Sequence, residues 1–113
     1  MRTFNGKATR DDDTNKLDFD GFISPQVLNR YAEYMNKHRE TALGIRDSDN
    51  WQNLFGEKHL DVCMKSAYRH FQDWHLFHRG FKGRDDIESS ICALIFNANA
   101  YLFKLLQDRK YLK

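Results

Sequence analysis

The chain has 113 residues, of which 41% are hydrophobic, 14% aromatic and 30% charged, and its 18 basic and 16 acidic side chains leave a formal charge of +2. That length bounds it to one domain with one core, and that apolar and aromatic content excludes disorder throughout. So small a charge excludes the one-sided field of a protein that lives on a nucleic-acid backbone, so nucleic acid is not an expected partner.

In chain order, residues 1–20 form a polar arm, with a turn signal at Asn5-Gly6, an acidic run at Asp11, Asp12 and Asp13, and no helical period. Residues 21–113 make a single helical domain. Ser24-Pro25 opens its first helix, serine as the cap and proline at the first helical position, where a missing N–H costs nothing. Val27, Leu28, Tyr31, Ala32, Met35 and His38 follow at three- and four-residue steps and carry that helix to about Arg39. Residues 41–58, with Gly44, Asn50, Asn53 and Gly56, have neither a strand nor a helix period and read as a long loop. Leu60, Met64, Ala67, Phe71, Trp74 and His78 then repeat as the apolar seam of a second helix, which Gly80 and Gly83 end. Asp85 and Glu88 form a capping-box pattern at the head of a third helix, apolar on nearly every side from Ile91 to Leu106.

The expected fold is all-α: three main helices in a small antiparallel bundle, completed by a partner chain that covers the third helix in a homo-oligomer. The longest uninterrupted apolar run, residues 91–96, is far short of the roughly 20 residues that span a bilayer, and residues 1–20 hold no signal-like apolar stretch. A soluble cytoplasmic protein with no membrane partner is expected. Cys63 and Cys92 stand among helix-forming apolar residues without CxxC spacing and read as reduced core residues.

Residues 69–80, RHFQDWHLFHRG, hold three histidines, but helical geometry turns His75 about 140 degrees from His70, and no two histidines are four apart. A zinc pair of the HExxH kind is therefore not formed. Arg69 and Asp73 either pair on the surface or, with Ser66, His70 and Phe77, line the edge of a ligand pocket beside the seam. In RDSDNW, Arg46 offers a phosphate fork, Asp47 and Asp49 can accept from sugar hydroxyls or hold magnesium, and Trp51 offers a stacking face. The plainer reading is a loop pinned to the core by Trp51. Asn97, in an otherwise apolar stretch, either satisfies its amide structurally or reads the edge of a base. Glu33 has Arg30 and Lys37 at helical spacing and needs no further role.

Taken together, KLDF at 16–19, ISPQVLNRYAEYM at 23–35, RDSDNWQ at 46–52, MKSAYRHFQD at 64–73, HRG at 78–80 and DIESSICALIFNANAYL at 86–102 resemble the dATP/dGTP diphosphohydrolase-like family of small phage domains. That family is distantly similar to all-alpha nucleotide pyrophosphohydrolases. The resemblance covers about residues 16–106 and implies an all-helical, often oligomeric nucleotide-handling fold. In active relatives it implies magnesium-dependent cleavage of a purine dNTP to monophosphate and pyrophosphate, which needs clustered carboxylates. Here the sequence departs from the pattern, having neither the EExxE helix of the all-alpha pyrophosphohydrolases nor their later ExxD.

The departure points to a phage-type protein that binds or sequesters a purine nucleotide or nucleotide-derived signal without efficient turnover, an anti-defence sponge needing no cofactor. Its ligand residues would be Arg46, Asp49, Asn50, Trp51, Lys65, Arg69, His70, Asp73, Arg79 and Asn97. The alternative is a Mg2+-dependent diphosphohydrolase whose metal site is assembled from Glu33, Asp73, Asp86 and Glu88. A second alternative is a helical adaptor whose aromatic-rich surface binds protein.

Overall fold

The computed structural model describes residues 14–109, together with the backbone of residues 2–3 and 9–10. Asn5-Gly6 and the run Asp11, Asp12, Asp13 lie outside the described residues. The elements are β1 (Arg2–Thr3), β2 (Thr9–Arg10), α1 (Phe19–Phe22), α2 (Pro25–Lys37), β3 (Glu40–Thr41), β4 (Gly44–Ile45), a 3-10 turn (Asn50–Asn53), α3 (His59–His78) and α4 (Ile87–Arg109). β1 pairs antiparallel with β2, Arg2 opposite Arg10, and β3 with β4, Thr41 opposite Gly44. Over residues 14–109 helix takes 67% and strand 4%, which places the chain in the all-α class with three main helices.

Local chemistry sets the helix ends. The Ser24 Oγ accepts the Val27 N–H at 3.2 Å, with Pro25 at the first helical position of α2. α3 stops at Gly80, whose φ of +84° glycine tolerates and other residues avoid, and the Phe81 N–H reaches back to the Leu76 carbonyl at 2.8 Å. The cap of α4 lies one residue beyond the expected box: Asp86 accepts the Ser89 N–H at 2.7 Å and its hydroxyl at 3.0 Å. Glu88 is thereby too early to reach back, and it takes the Arg30 Nε at 2.7 Å instead. Further elements were not expected, among them β1 and β2 in the arm. α1 lies partly in the stretch read as an arm, with Asp18 accepting the Gly21 N–H at 2.8 Å. The stretch read as a long loop holds most of the β3–β4 hairpin and the 3-10 turn.

α3 and α4 form the closely packed pair, and they run antiparallel, since His59 at the start of α3 meets Ala100 late in α4 while Asp73 meets Arg84 just before α4. α2 touches α4 more sparsely, anchored by Arg30 on Glu88 and Asp86. The buried seam is small and polar: His59, Cys63 and Asp73 on α3, with Ser90, Cys92, Ala93, Asn97 and Ala100 on α4. Both cysteines are buried and free, as expected, and burial pushes both thiols up.

The seam expected on α3 is displaced. Met64 and Phe71 are 47% and 46% exposed, while the neighbouring stripe of His59, Cys63 and Asp73 turns inward. The physical reason is that the polar groups of that stripe find partners inside the pair: the His59 ring donates from Nε2 to the Ala100 carbonyl at 2.9 Å, and Asp73 is met by Arg84. Small residues on α4 let the helices approach closely enough for these bonds. No buried side-chain nitrogen or oxygen among the described residues lacks a partner.

Large apolar side chains are left outside in consequence, from Phe22 on α1 to Leu102, Leu105 and Leu106 on α4. The Cα radius of gyration is 19.1 Å and the extents are 57 × 41 × 29 Å, whereas a compact domain of this length has a radius of about 13 Å. α4, taken whole rather than by uninterrupted runs, is long and apolar enough to cross a membrane by length and composition alone.

Candidate functional site

The β3–β4 hairpin folds back on the C-terminal end of α2. The Arg46 N–H donates to the Arg39 carbonyl at 2.9 Å, Arg39 Nε returns a bond to the Arg46 carbonyl at 2.8 Å, and the Arg46 guanidinium reaches the His38 carbonyl. Two cations thus stand at the negative end of a helix dipole. The chain then enters the 3-10 turn, where Trp51 packs edge-on to Phe103 at 4.9 Å and to Phe96 at 6.5 Å between centroids. Leu54, at φ +67°, and Gly56, at φ +87°, turn the chain into α3. His59 holds that turn, its Nδ1 accepting the Phe55 N–H at 3.1 Å while its Nε2–H is given to Ala100. One tautomer serves both bonds.

These connections enclose a cleft of about 870 Å³ between α2, the hairpin, the 3-10 turn and Phe96 of α4. Its aromatic walls are Tyr34, Trp51, Phe55 and Phe96, its amides Asn29, Asn36, Asn50 and Asn53, and its cations Arg39 and Arg46. Two carboxylates face it, Glu33 and Asp47. The Glu33 carboxylate accepts the Asn29 amide at 2.9 Å rather than pairing with Arg30 or Lys37. Burial raises the Tyr34 phenol above its usual range. A volume of this size and an aromatic, amide-lined wall with convergent guanidinium groups fit a flat, polar, anionic small molecule.

Of the residues singled out in the sequence, Arg46, Asp47, Asn50, Trp51 and Glu33 line this cleft. Asp49 precedes the 3-10 turn and accepts the Gln52 N–H on its backbone carbonyl, just outside the lining. The α3 residues do not join them. Arg69 and Asp73 border a separate shallow depression with Tyr68, Gln72 and Arg84. Asp73, 4% exposed, is held by Arg84 at 2.7 and 2.9 Å, and chiefly that bond holds its carboxyl below the usual range. Arg84, not Arg69, is therefore its ion partner. His70 is half-buried, and burial followed by the nearby Arg84 charge lowers its pKa. Lys65 and Arg79 are exposed, Arg79 at the C-cap of α3, and neither lines the cleft. Asn97 is buried with its amide donated to the Ala93 carbonyl at 2.8 Å, a structural use of the group.

The four carboxylates considered for a metal, Glu33, Asp73, Asp86 and Glu88, answer to local partners: Asn29 for Glu33, Arg84 for Asp73, Ser89 for Asp86 and Arg30 for Glu88. Bonds from the Ser89 backbone and hydroxyl lower the Asp86 pKa. Among the described residues no three His, Cys, Asp or Glu side chains are grouped to hold a metal ion.

Sequence reading missed Asn29, Tyr34, Asn36, Arg39, Asn53, Phe55 and Phe96. One signal for Asn29 and Asn36 was there: with Glu33 they recur at steps of four and three and make a polar stripe on α2. Phe55 and Phe96 carried none, because the contact between them spans forty-one residues. Comparison with protein-family models, with curated proteins and with solved structures finds no match to this chain.

Proposed function

We propose that the cleft binds a purine nucleotide, or a signal derived from one, and holds it intact. The observation that carries this reading is the convergence of an aromatic wall, four amides and two guanidinium groups on one cavity of about 870 Å³. A base would lie against Trp51 or Tyr34, with Asn50 and Asn53 at its edge, and the phosphates would be met by Arg39 and Arg46. Both arginines keep unused donors, since a guanidinium carries five N–H groups and Arg39 spends two, on the Arg46 carbonyl and the Asn36 side chain, and Arg46 one, on the His38 carbonyl. The resemblance to dATP/dGTP diphosphohydrolase-like domains agrees with the ligand class. The dispersal of the acidic side chains favours storage over hydrolysis, since magnesium-assisted phosphoryl transfer needs carboxylates converging on the metal.

Titration of the protein with dATP and dGTP, followed by tryptophan fluorescence, tests the reading. Saturable quenching that disappears in Trp51→Phe, and weakening of tenfold or more (about 1.4 kcal/mol) in Asn50→Ala, are expected. Unchanged fluorescence and an unchanged melting temperature at millimolar nucleotide would rule it out and leave the outward aromatic surface as the working part of the molecule.

A further inference from the structure

The cleft carries opposite charge at two places along α2. Glu33 lines it from the middle of the helix, while Arg39 stands just past the helix end with Arg46 bonded to it. The two positions are separated by about 9 Å along the helix axis. Among the described residues no cation pairs with Glu33. The Asn29 amide donates to its Oε1 at 2.9 Å and steadies the carboxylate, which keeps Oε2 and a lone pair of Oε1 open toward the cleft. Asp47, the other carboxylate on the wall, follows Arg46 in the chain and belongs to the cationic end. An ionised carboxylate accepts and does not donate, so the part of a ligand that meets Glu33 must offer donors, while its far part is anionic.

We infer that the cleft selects guanine over the other bases and that Glu33 is the residue that makes the choice. The inference rests on the nucleotide reading of the cleft given above. Among the common bases only guanine carries two adjacent donors, N1–H and the 2-amino group, on its Watson–Crick edge, and a carboxylate accepts both in parallel. Adenine and cytosine put a ring-nitrogen lone pair against the same carboxylate, which adds repulsion to a lost bond. Uracil and thymine offer a single N–H between two carbonyls. The other polar edge of guanine holds two acceptors, N7 and O6, and so calls for donors. Asn53 donates to the Asn50 Oδ1 at 3.4 Å, which leaves the Asn50 amide nitrogen to donate from the 3-10 turn. The spacing from Glu33 to Arg39 matches the reach of one nucleotide from the Watson–Crick edge of its purine to its 5′ phosphate.

Isothermal titration of the full chain in chelator with dGTP, dITP, dATP and GTP tests this. dGTP should bind at least about tenfold tighter than dATP. dITP, which keeps N1–H and lacks the 2-amino group, should fall between them, and GTP should match dGTP because the group read is on the base. Glu33→Gln, which replaces one acceptor oxygen by a donor, should weaken dGTP about tenfold or more and leave dATP within about threefold, so that the preference collapses. Glu33 is exposed on its helix, and far-UV circular dichroism of the variant should keep the wild-type signal; the step from dGTP to dITP reads the 2-amino contact with no substitution at all. Equal affinity of the wild type for dGTP and dATP would overturn the inference and leave the cleft reading standing, whereas no binding of any of the four would remove both. A loss in Glu33→Gln that is the same for dGTP and dATP would also overturn it. So would a preference for GTP over dGTP that Glu33→Gln abolishes, which would assign the carboxylate to the ribose hydroxyls.

Discussion

Asp73 fixes how the connection between α3 and α4 lies over the helices. Arg84 meets both of its carboxylate oxygens, one by the backbone N–H at 3.3 Å and the other by the guanidinium at 2.7 and 2.9 Å, and these bonds lower the carboxyl pKa below its ordinary value. Because the folded pKa is depressed, the stabilisation is complete above the unfolded value of about 3.9 and is lost as pH falls through the folded one. Asp86 adds to the loss in the same direction. The melting temperature should accordingly hold steady down to about pH 5 as far as these carboxylates are concerned and fall steeply below pH 4. Asp73→Asn should melt lower at neutral pH and show a flatter decline in acid; scanning calorimetry from pH 2.5 to 7 checks both. His59 is the second such residue, 1% exposed and bonded at both ring nitrogens. His59→Ala strands the Phe55 N–H and the Ala100 carbonyl, at about 1–3 kcal/mol for each buried group left unpaired. Urea denaturation should show that loss, and a red-shifted Trp51 emission should accompany it, because the chain after Trp51 loses its tie to α4 at Phe55.

Among the elements, α2, α3 and α4 were legible because their start and stop signals act within a few residues of chain: Ser24-Pro25 for one, Gly80 for another, an aspartate before Ile87 for the third. The connection after Gly80 is just as local in sequence but not in structure. A Cβ on Gly83 would stand 3.1 Å from the Asp73 backbone carbonyl and 3.0 Å from the Phe77 ring, so a larger residue there must displace its neighbours on α3 by a few tenths of an ångström. Gly83→Ala should push Arg84 away from Asp73 and lower the melting temperature, whereas an alanine at exposed Lys82 should leave it unchanged. What the sequence did not disclose was which face of α3 turns inward. Periodicity ranks Met64 and Phe71 above His59, Cys63 and Asp73, because it scores polarity and cannot see that Ala100 and Arg84 supply partners. Residues 41–58 were illegible for the same reason. Their structure rests on Arg39 with Arg46 and on Trp51 with Phe96 and Phe103, the last two being long-range contacts that leave no period.

At the scale of the molecule, a tight polar seam joins α3 to α4, the cleft lies beside α2, and apolar residues lie outside both. Arg46, Asn50 and Trp51 of the cleft were visible in the sequence because their residue types are chemically distinctive. The expectation that Arg69, His70 and Asp73 would join them is not met in this structure, since α3 turns that stripe toward α4 and Arg84. A single small-molecule site at the cleft is tested by isothermal titration of the protein with dATP in chelator, with the nucleotide then recovered by denaturation and weighed by mass spectrometry. Saturable binding without a metal, intact dATP recovered, and no further release of pyrophosphate when magnesium is added are expected. No binding heat, or conversion of the recovered nucleotide to dAMP with pyrophosphate, would contradict it.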